Sequence, residues 1–207
     1  GVAYALPAYR VPMSSRTAKG TPSVQLLPIP REEKITSLVA VDSFDNENYL
    51  LMLTKAGFIK RTALPSFSKI RSNGLIAINL EDGDALTWVR LSKEGDSVLI
   101  GSRTGMTIHF RLDFNELRPL GRTARGVKSM NLRNGDSLVS MDVLTSDLVD
   151  QLANLENNNK ESDDLEANYS VGPWVLVASA FGLGKRVPVT QFKLQKRAGM
   201  GLSCLLY

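Results

Sequence analysis

Basic residues recur in pairs just ahead of four glycines: Arg16 and Lys19 before Gly20, Lys69 and Arg71 before Gly74, Arg122 and Arg125 before Gly126, and Lys196 and Arg197 before Gly201. Guanidinium and ammonium groups repeated at turn positions suit one chemistry above others, the neutralisation of phosphates with release of condensed counterions. Lys128 follows Gly126, and the pairs Lys60-Arg61 and Lys185-Arg186 widen the set. The formal net charge of +4 understates this character. Asp147, Asp150, Glu156, Glu161, Asp163, Asp164 and Glu166 stand against Lys160 alone in one acidic stretch, so the rest of the chain carries a much larger positive surplus. Such a surplus predicts a polyanionic partner. No segment reads as a recognition helix and the clusters hold few base readers, so contacts to the duplex DNA backbone, which position without reading sequence, are expected. Tyr4, Tyr9, Phe58, Phe67, Phe110, Phe114, Phe181 and Phe192 would suit stacking of single-stranded bases. They fall in or beside apolar runs, however, and are assigned to the core. Binding and bending of a duplex is the better expectation.

Other chemistries find less support. Gly182-Leu-Gly-Lys-Arg186 lacks both the spacing of a phosphate loop and the Ser/Thr after its lysine. Ser66-Phe-Ser-Lys69 matches a serine-lysine pattern without its companions. His109, flanked by Ile108 and Phe110, reads as structural, and Asp82, Asp84 and Asp136 read as acidic-glycine turns. A single histidine and a single cysteine, Cys204, leave few ligands for a zinc site and make an internal disulfide impossible. No catalytic set and no cofactor of this chain's own is expected. A propeller-like scaffold for protein partners is the alternative from a different functional class.

The elements that must carry these residues repeat. A glycine turn ends a first strand; a basic or aromatic strand follows, then a loop with a second glycine, an apolar strand, an acidic-glycine turn and a final apolar strand. The fullest copy has strands expected over 49–54, 58–62, 75–80 and 85–91, and the next over 97–100, 106–110, 127–132 and 137–143. The first copy starts late, with strands expected at Ser23–Leu27 and Ile35–Val41, and the last stops early. The glycine pairs Gly1 and Gly20, Gly57 and Gly74, Gly105 and Gly126, and Gly182 and Gly201 keep nearly constant separation. Apolar runs of four to eight residues between glycine turns are strand signals, and four strands in about 50 residues is the size of a propeller blade. The chain is therefore read as all-β, with repeats over about 1–44, 45–95, 96–145 and 172–207, and with about three and a half to four blades. The acidic stretch 146–171 is an insertion, mobile apart from a short helix expected over Leu148–Leu155.

No run approaches the roughly 18 apolar residues of a membrane span, and the N-terminus has no signal pattern. A soluble, unsecreted piece of a longer chain is expected.

Several motifs together carry a family likeness. Tyr9-Arg-Val-Pro12, Ser15-Arg-Thr-Ala-Lys-Gly-Thr-Pro22, Gly74-Leu-Ile-Ala-Ile-Asn-Leu80 with Asp82-Gly-Asp84, Gly121-Arg-Thr-Ala-Arg-Gly-Val127 and Gly184-Lys-Arg-Val-Pro188 resemble the repeat signatures of the C-terminal domain of gyrase A from DNA gyrase, a type IIA topoisomerase. The resemblance implies a β-pinwheel whose basic perimeter wraps DNA and supports ATP-driven negative supercoiling by the complete enzyme. The partners so implied are the remainder of gyrase A, gyrase B, ATP and magnesium. The family's catalytic tyrosine and ATP site belong to segments this sequence does not contain. Gln195-Lys-Arg-Ala-Gly-Met-Gly201 resembles the family's Gln-Arg-Arg-Gly-Gly-Lys/Arg-Gly box, with Ala198 in place of a glycine and Met200 in place of a basic residue. The insertion before Gly172-Pro-Trp174 is similar to cyanobacterial and plastid members, which implies a bacterial cytoplasm or, in preference, a plastid stroma. The related topoisomerase IV domain is the nearest alternative.

Overall fold

The computed structural model describes residues 1–30, 32–158 and 173–203. The whole of the acidic stretch beyond Asn158, on which the expected mobility of the insertion falls, and Cys204 lie outside them.

Glycine turns divide the chain into hairpins. Strand β1 (Val2–Ala3) is followed by a short helix α1 (Ser23–Leu26) and then by the long hairpin of β2 (Asn48–Thr54) and β3 (Phe58–Ala63). Next come β4 (Leu75–Ile76), β5 (Leu86–Lys93), β6 (Ser97–Ser102), β7 (Met106–Arg111), β8 (Val127–Lys128) and β9 (Leu138–Leu144). Helix α2 (Ser146–Asn158) opens the acidic stretch, and β10 (Trp174–Ala178), β11 (Gly184–Pro188) and β12 (Leu202–Ser203) complete the order.

Two sheets have four antiparallel strands, in the orders β5-β2-β3-β8 and β9-β6-β7-β12, flanked by the two-stranded sheets β1-β4 and β10-β11. The sequence repeat and the sheet are therefore not the same unit. Each four-stranded blade takes three strands from one repeat and its outermost strand from the next: Phe58 and Ile59 pair with Lys128 and Val127, and Met106 and Thr107 pair with Ser203 and Leu202. The pair β1-β4 repeats the exchange between the first and second repeats. Consecutive repeats are thus joined by main-chain hydrogen bonds as well as by side-chain packing.

The second glycine makes that exchange possible. A Cβ on Gly126, whose φ is +103°, would lie 2.7 Å from the Ile59 carbonyl oxygen, and one on Gly201 would lie 2.7 Å from that of Thr107. Only glycine accepts both the positive φ and the backbone approach.

The unalternating apolar runs follow from burial on both faces of the inner strands. Leu51 and Leu53 of β2 join Val98 and Ile100 of β6, Ile108 and Phe110 of β7 and Met141 of β9 in one core. Met52 looks the other way, into a second cluster with Phe67 and Ile78, and Leu99 faces a third with Val187 and Phe192.

Several expectations need correction. Ser23–Leu27 holds the helical turn α1 rather than a strand, and Ile35–Val41 forms no ladder. Their counterparts in the second repeat, β4 and β5, pair with β1 and β2. Among the aromatics, Phe67, Phe110 and Phe192 are buried as expected, but Tyr9, Phe114 and Phe181 are exposed, Phe181 at 95%.

Candidate nucleic-acid interface

The paired basic residues divide into three groups by what their side chains hold. Lys60 and Arg61, which read as surface cations in the sequence, are fully buried and are removed from the interface. The Lys60 ammonium donates to the carbonyl oxygens of Gly121, Arg122 and Ala124 at 3.0, 2.5 and 3.0 Å. Burial, and then the Arg122 guanidinium, push its pKa down to about 8. Arg61, on the opposite face of β3, donates through Nε to Leu117 O and through Nη1 to Leu112 O, meets Glu94 at 2.7 Å and stacks on Tyr49. These two residues fasten the loop between β7 and β8, which carries Arg122 and Arg125.

The second group is committed but accessible. Arg122 donates to Ile76 O at 3.2 Å, and Arg197 donates to Lys128 O at 2.7 Å and to Glu116 O at 3.1 Å. Arg125 pairs with Glu81 and lies over the Phe58 ring, 4.1 Å from its centroid. Arg186 stacks on Trp174. Lys185 is exposed on β11 beside it.

The third group projects from the loops and, for Lys128, from β8. Arg16, Lys19, Lys69, Arg71, Lys128 and Lys196 are exposed, and their side-chain nitrogens have no hydrogen-bond or ion-pair partner among the described residues. Lys69 and Arg71 of the second repeat and Arg122 of the third line one depression of about 730 Å³, with Val2, Gly74 and Ile76 in its walls. Cations of successive repeats are thereby brought together. Arg10, which sequence reasoning passes over, lines a smaller hollow with Arg71. Its signal is weak because it precedes no glycine.

The remaining candidates are structural. Asp136 accepts from the hydroxyls of Ser102 and Thr104, both at 2.6 Å, and from the amides of Thr104 and Ser137. Burial raises its pKa, but these hydrogen bonds outweigh that and hold it at about 2. Asp84 caps the preceding hairpin in the same way, accepting from Ala56 and Ala85. His109 is buried; one ring nitrogen donates to Phe192 O, so the other accepts from Ser97 Oγ, and burial lowers its pKa. Gly182-Leu-Gly-Lys-Arg186 turns between β10 and β11 rather than into a helix. The described residues hold no group of three or more His, Cys, Asp or Glu side chains placed for a metal, and no helix long and apolar enough to cross a membrane.

Strand-exchanged blades with basic loops at equivalent positions define a propeller-class repeat protein. The family described as DNA gyrase C-terminal domain, beta-propeller, matches residues 1–42, 48–93, 96–145 and 173–205, and the chain belongs to it. The DNA gyrase A protein of Synechocystis is 54% identical over the whole chain, which spans 25% of that relative. The chloroplastic/mitochondrial DNA gyrase A protein of Arabidopsis thaliana is 40% identical over 98% of the chain, which spans 21% of it. Among solved structures, a DNA gyrase A C-terminal domain superposes with TM-score 0.71 at 24% identity, covering 98% of this chain and 56% of that one. The C-terminal domain of a DNA topoisomerase IV superposes at 0.69 with 27% identity, covering 89% and 49%.

Proposed function

We propose that the chain is a duplex-DNA binding and bending module that contacts phosphates through its loop cations and reads no sequence. The observation that carries this is the depression that the cations Lys69 and Arg71 line together with the Arg122-Thr123 loop of the next repeat. Lys19, Lys128, Lys185, Lys196, Arg16, Arg125 and Arg186 extend the surface, whereas Lys60 and Arg61 support it from within and Arg197, committed to the carbonyl oxygens of Glu116 and Lys128, borders it. The repeats run over 1–44, 45–95, 96–145 and 172–207, with the acidic insertion between the last two.

Membership of the gyrase family supports the larger reading. As part of a complete gyrase A protein working with gyrase B, ATP and magnesium, the module wraps DNA for negative supercoiling. The cyanobacterial and plant relatives support a bacterial cytoplasm or a plastid stroma. The gyrase A names of the relatives favour this over the topoisomerase IV reading.

Relaxing closed circular DNA with a nicking-closing enzyme in the presence of the chain tests the bending claim. A shift in linking number that grows with protein concentration is expected. No shift at concentrations that saturate the DNA would refute bending and leave binding alone.

A further inference from the structure

Arg122 and Arg197 occupy the same place in their repeats, each four residues before the second glycine, Gly126 or Gly201. Their acceptors also match. Ile76 and Lys128 each stand two residues after the second glycine of the preceding repeat, Gly74 or Gly126. Two independent copies of one contact, at 3.2 and 2.7 Å, mark a recurring device rather than a chance surface contact. In the second repeat the position is filled by Ile70, which packs against the cluster of Phe67 and Ile78 instead.

We propose that Arg122 and Arg197 are positioning residues of the DNA interface: each guanidinium staples its own basic loop to the exchanged strand of the preceding repeat and so sets the spacing of successive loop cations. This rests on the DNA-binding reading above. The staple at Lys128 shows how it works. Its carbonyl oxygen is held by Arg197, while its ammonium stays exposed for phosphate. The staple at Ile76 likewise holds a wall of the depression that contains Lys69 and Arg71. Arginine fits this work because its planar fork sends several N–H donors in fixed directions, so Arg197 reaches Glu116 O and Lys128 O together; lysine keeps the charge but not the fork.

That difference supplies the test. The whole 207-residue chain is compared with Arg122→Lys, Arg197→Lys, their combination and the matching glutamine variants, for duplex affinity across a salt series. The paired lysine variant is expected to bind about tenfold more weakly with an unchanged log-log salt slope, and glutamine to behave like lysine. Lysine variants that bind like the unaltered chain would overturn the proposal. So would glutamine variants whose slope flattens by about 0.9 per residue, which would make the arginines phosphate contacts.

Amide exchange gives a readout that does not depend on DNA. Asn131 N–H donates to Gly199 O and Ala198 N–H to Ser129 O, both just past the staple in the direction of the chain. Both amides are expected to exchange faster in Arg197→Lys, with those of Leu51 and Ile100 unchanged as evidence of an intact fold. Unchanged exchange at Asn131 and Ala198 would overturn the staple. If the unaltered chain bound no duplex, the DNA-binding reading and the interface role would fall together, and exchange would still report whether the contact holds the loop.

Discussion

Lys60 reaches from β3 into the loop of the next repeat and donates to the carbonyl oxygen of Arg122 at 2.5 Å. A cation that resembles a phosphate contact in the sequence thus belongs to the scaffold beneath the interface. Replacing it leaves three carbonyl oxygens without their donor. Lys60→Met is expected to lower unfolding stability by about 2–3 kcal/mol in denaturant titration. Duplex affinity should weaken with it, while the salt slope stays the same because no phosphate contact is removed.

The same lysine has a pH signature. Its folded pKa of about 8 lies below the ordinary 10.5, so between these values the unfolded chain binds more protons. The Lys60 contribution to stability therefore rises with pH through that window. Nitrogen-detected NMR of the Nζ group should show its titration near the lower value. A midpoint at the ordinary value would contradict the burial of the ammonium.

Gly126 and Gly83 separate two roles of glycine. Both have positive φ, but a Cβ at Gly83 meets nothing within 4 Å, whereas one at Gly126 strikes the Ile59 carbonyl. Gly83→Ala is expected to destabilise by about 1 kcal/mol and Gly126→Ala by at least about 2 kcal/mol, since the latter also parts β8 from β3. Thermal unfolding of the two variants distinguishes them. Equal losses would mean that strand exchange does not depend on the close approach.

Asp136 ties the β6-β7 hairpin to the turn before β9. Its pKa is depressed in the folded state, so its contribution is complete above the ordinary carboxylate value of 3.8 and is lost as pH falls towards about 2. Asp136→Asn should lower stability by about 1–3 kcal/mol at neutral pH and remove that part of the acid dependence. An unaltered acid profile in the variant would show that other carboxylates govern it.

Ala198 has a φ of +62°, the one described residue other than glycine in the left-handed region. It stands where the related box has glycine. Ala198→Gly relieves the Cβ clash but loosens the unfolded chain, for a net gain of about 0.5–1 kcal/mol in chemical denaturation. A loss of stability would mean that the alanine methyl contributes more by packing than its backbone strain removes.

How far these features can be read beforehand depends on whether their causes are local. Hairpins β2-β3 and β6-β7 announce themselves because the glycine turn and both strands lie close together in the chain. The strand exchange does not, since β8 has only Val127 and Lys128 and its partner β3 belongs to the repeat before. Lys60 and Arg61 mislead for the same reason: the carbonyl oxygens that accept from them lie in the following repeat, at Gly121 and Leu112. Phe181 reads as core from its apolar neighbours, yet it sits at the tip of the β10-β11 hairpin, where Ala56 and Thr104 stand in the earlier ones. By contrast, the basic loop residues are legible individually and in register. Which of them are held by carbonyls and which stay free is not, because that depends on the neighbouring blade.

The central claim is that exposed loop cations contact phosphates, and the salt dependence of duplex affinity tests it most directly. Affinity should fall linearly on a log-log plot with a slope of about −0.9 per contact, and Lys69→Gln, Arg71→Gln and Lys128→Gln together should flatten that slope by nearly three such steps. An unchanged affinity and slope in the triple variant would contradict the account.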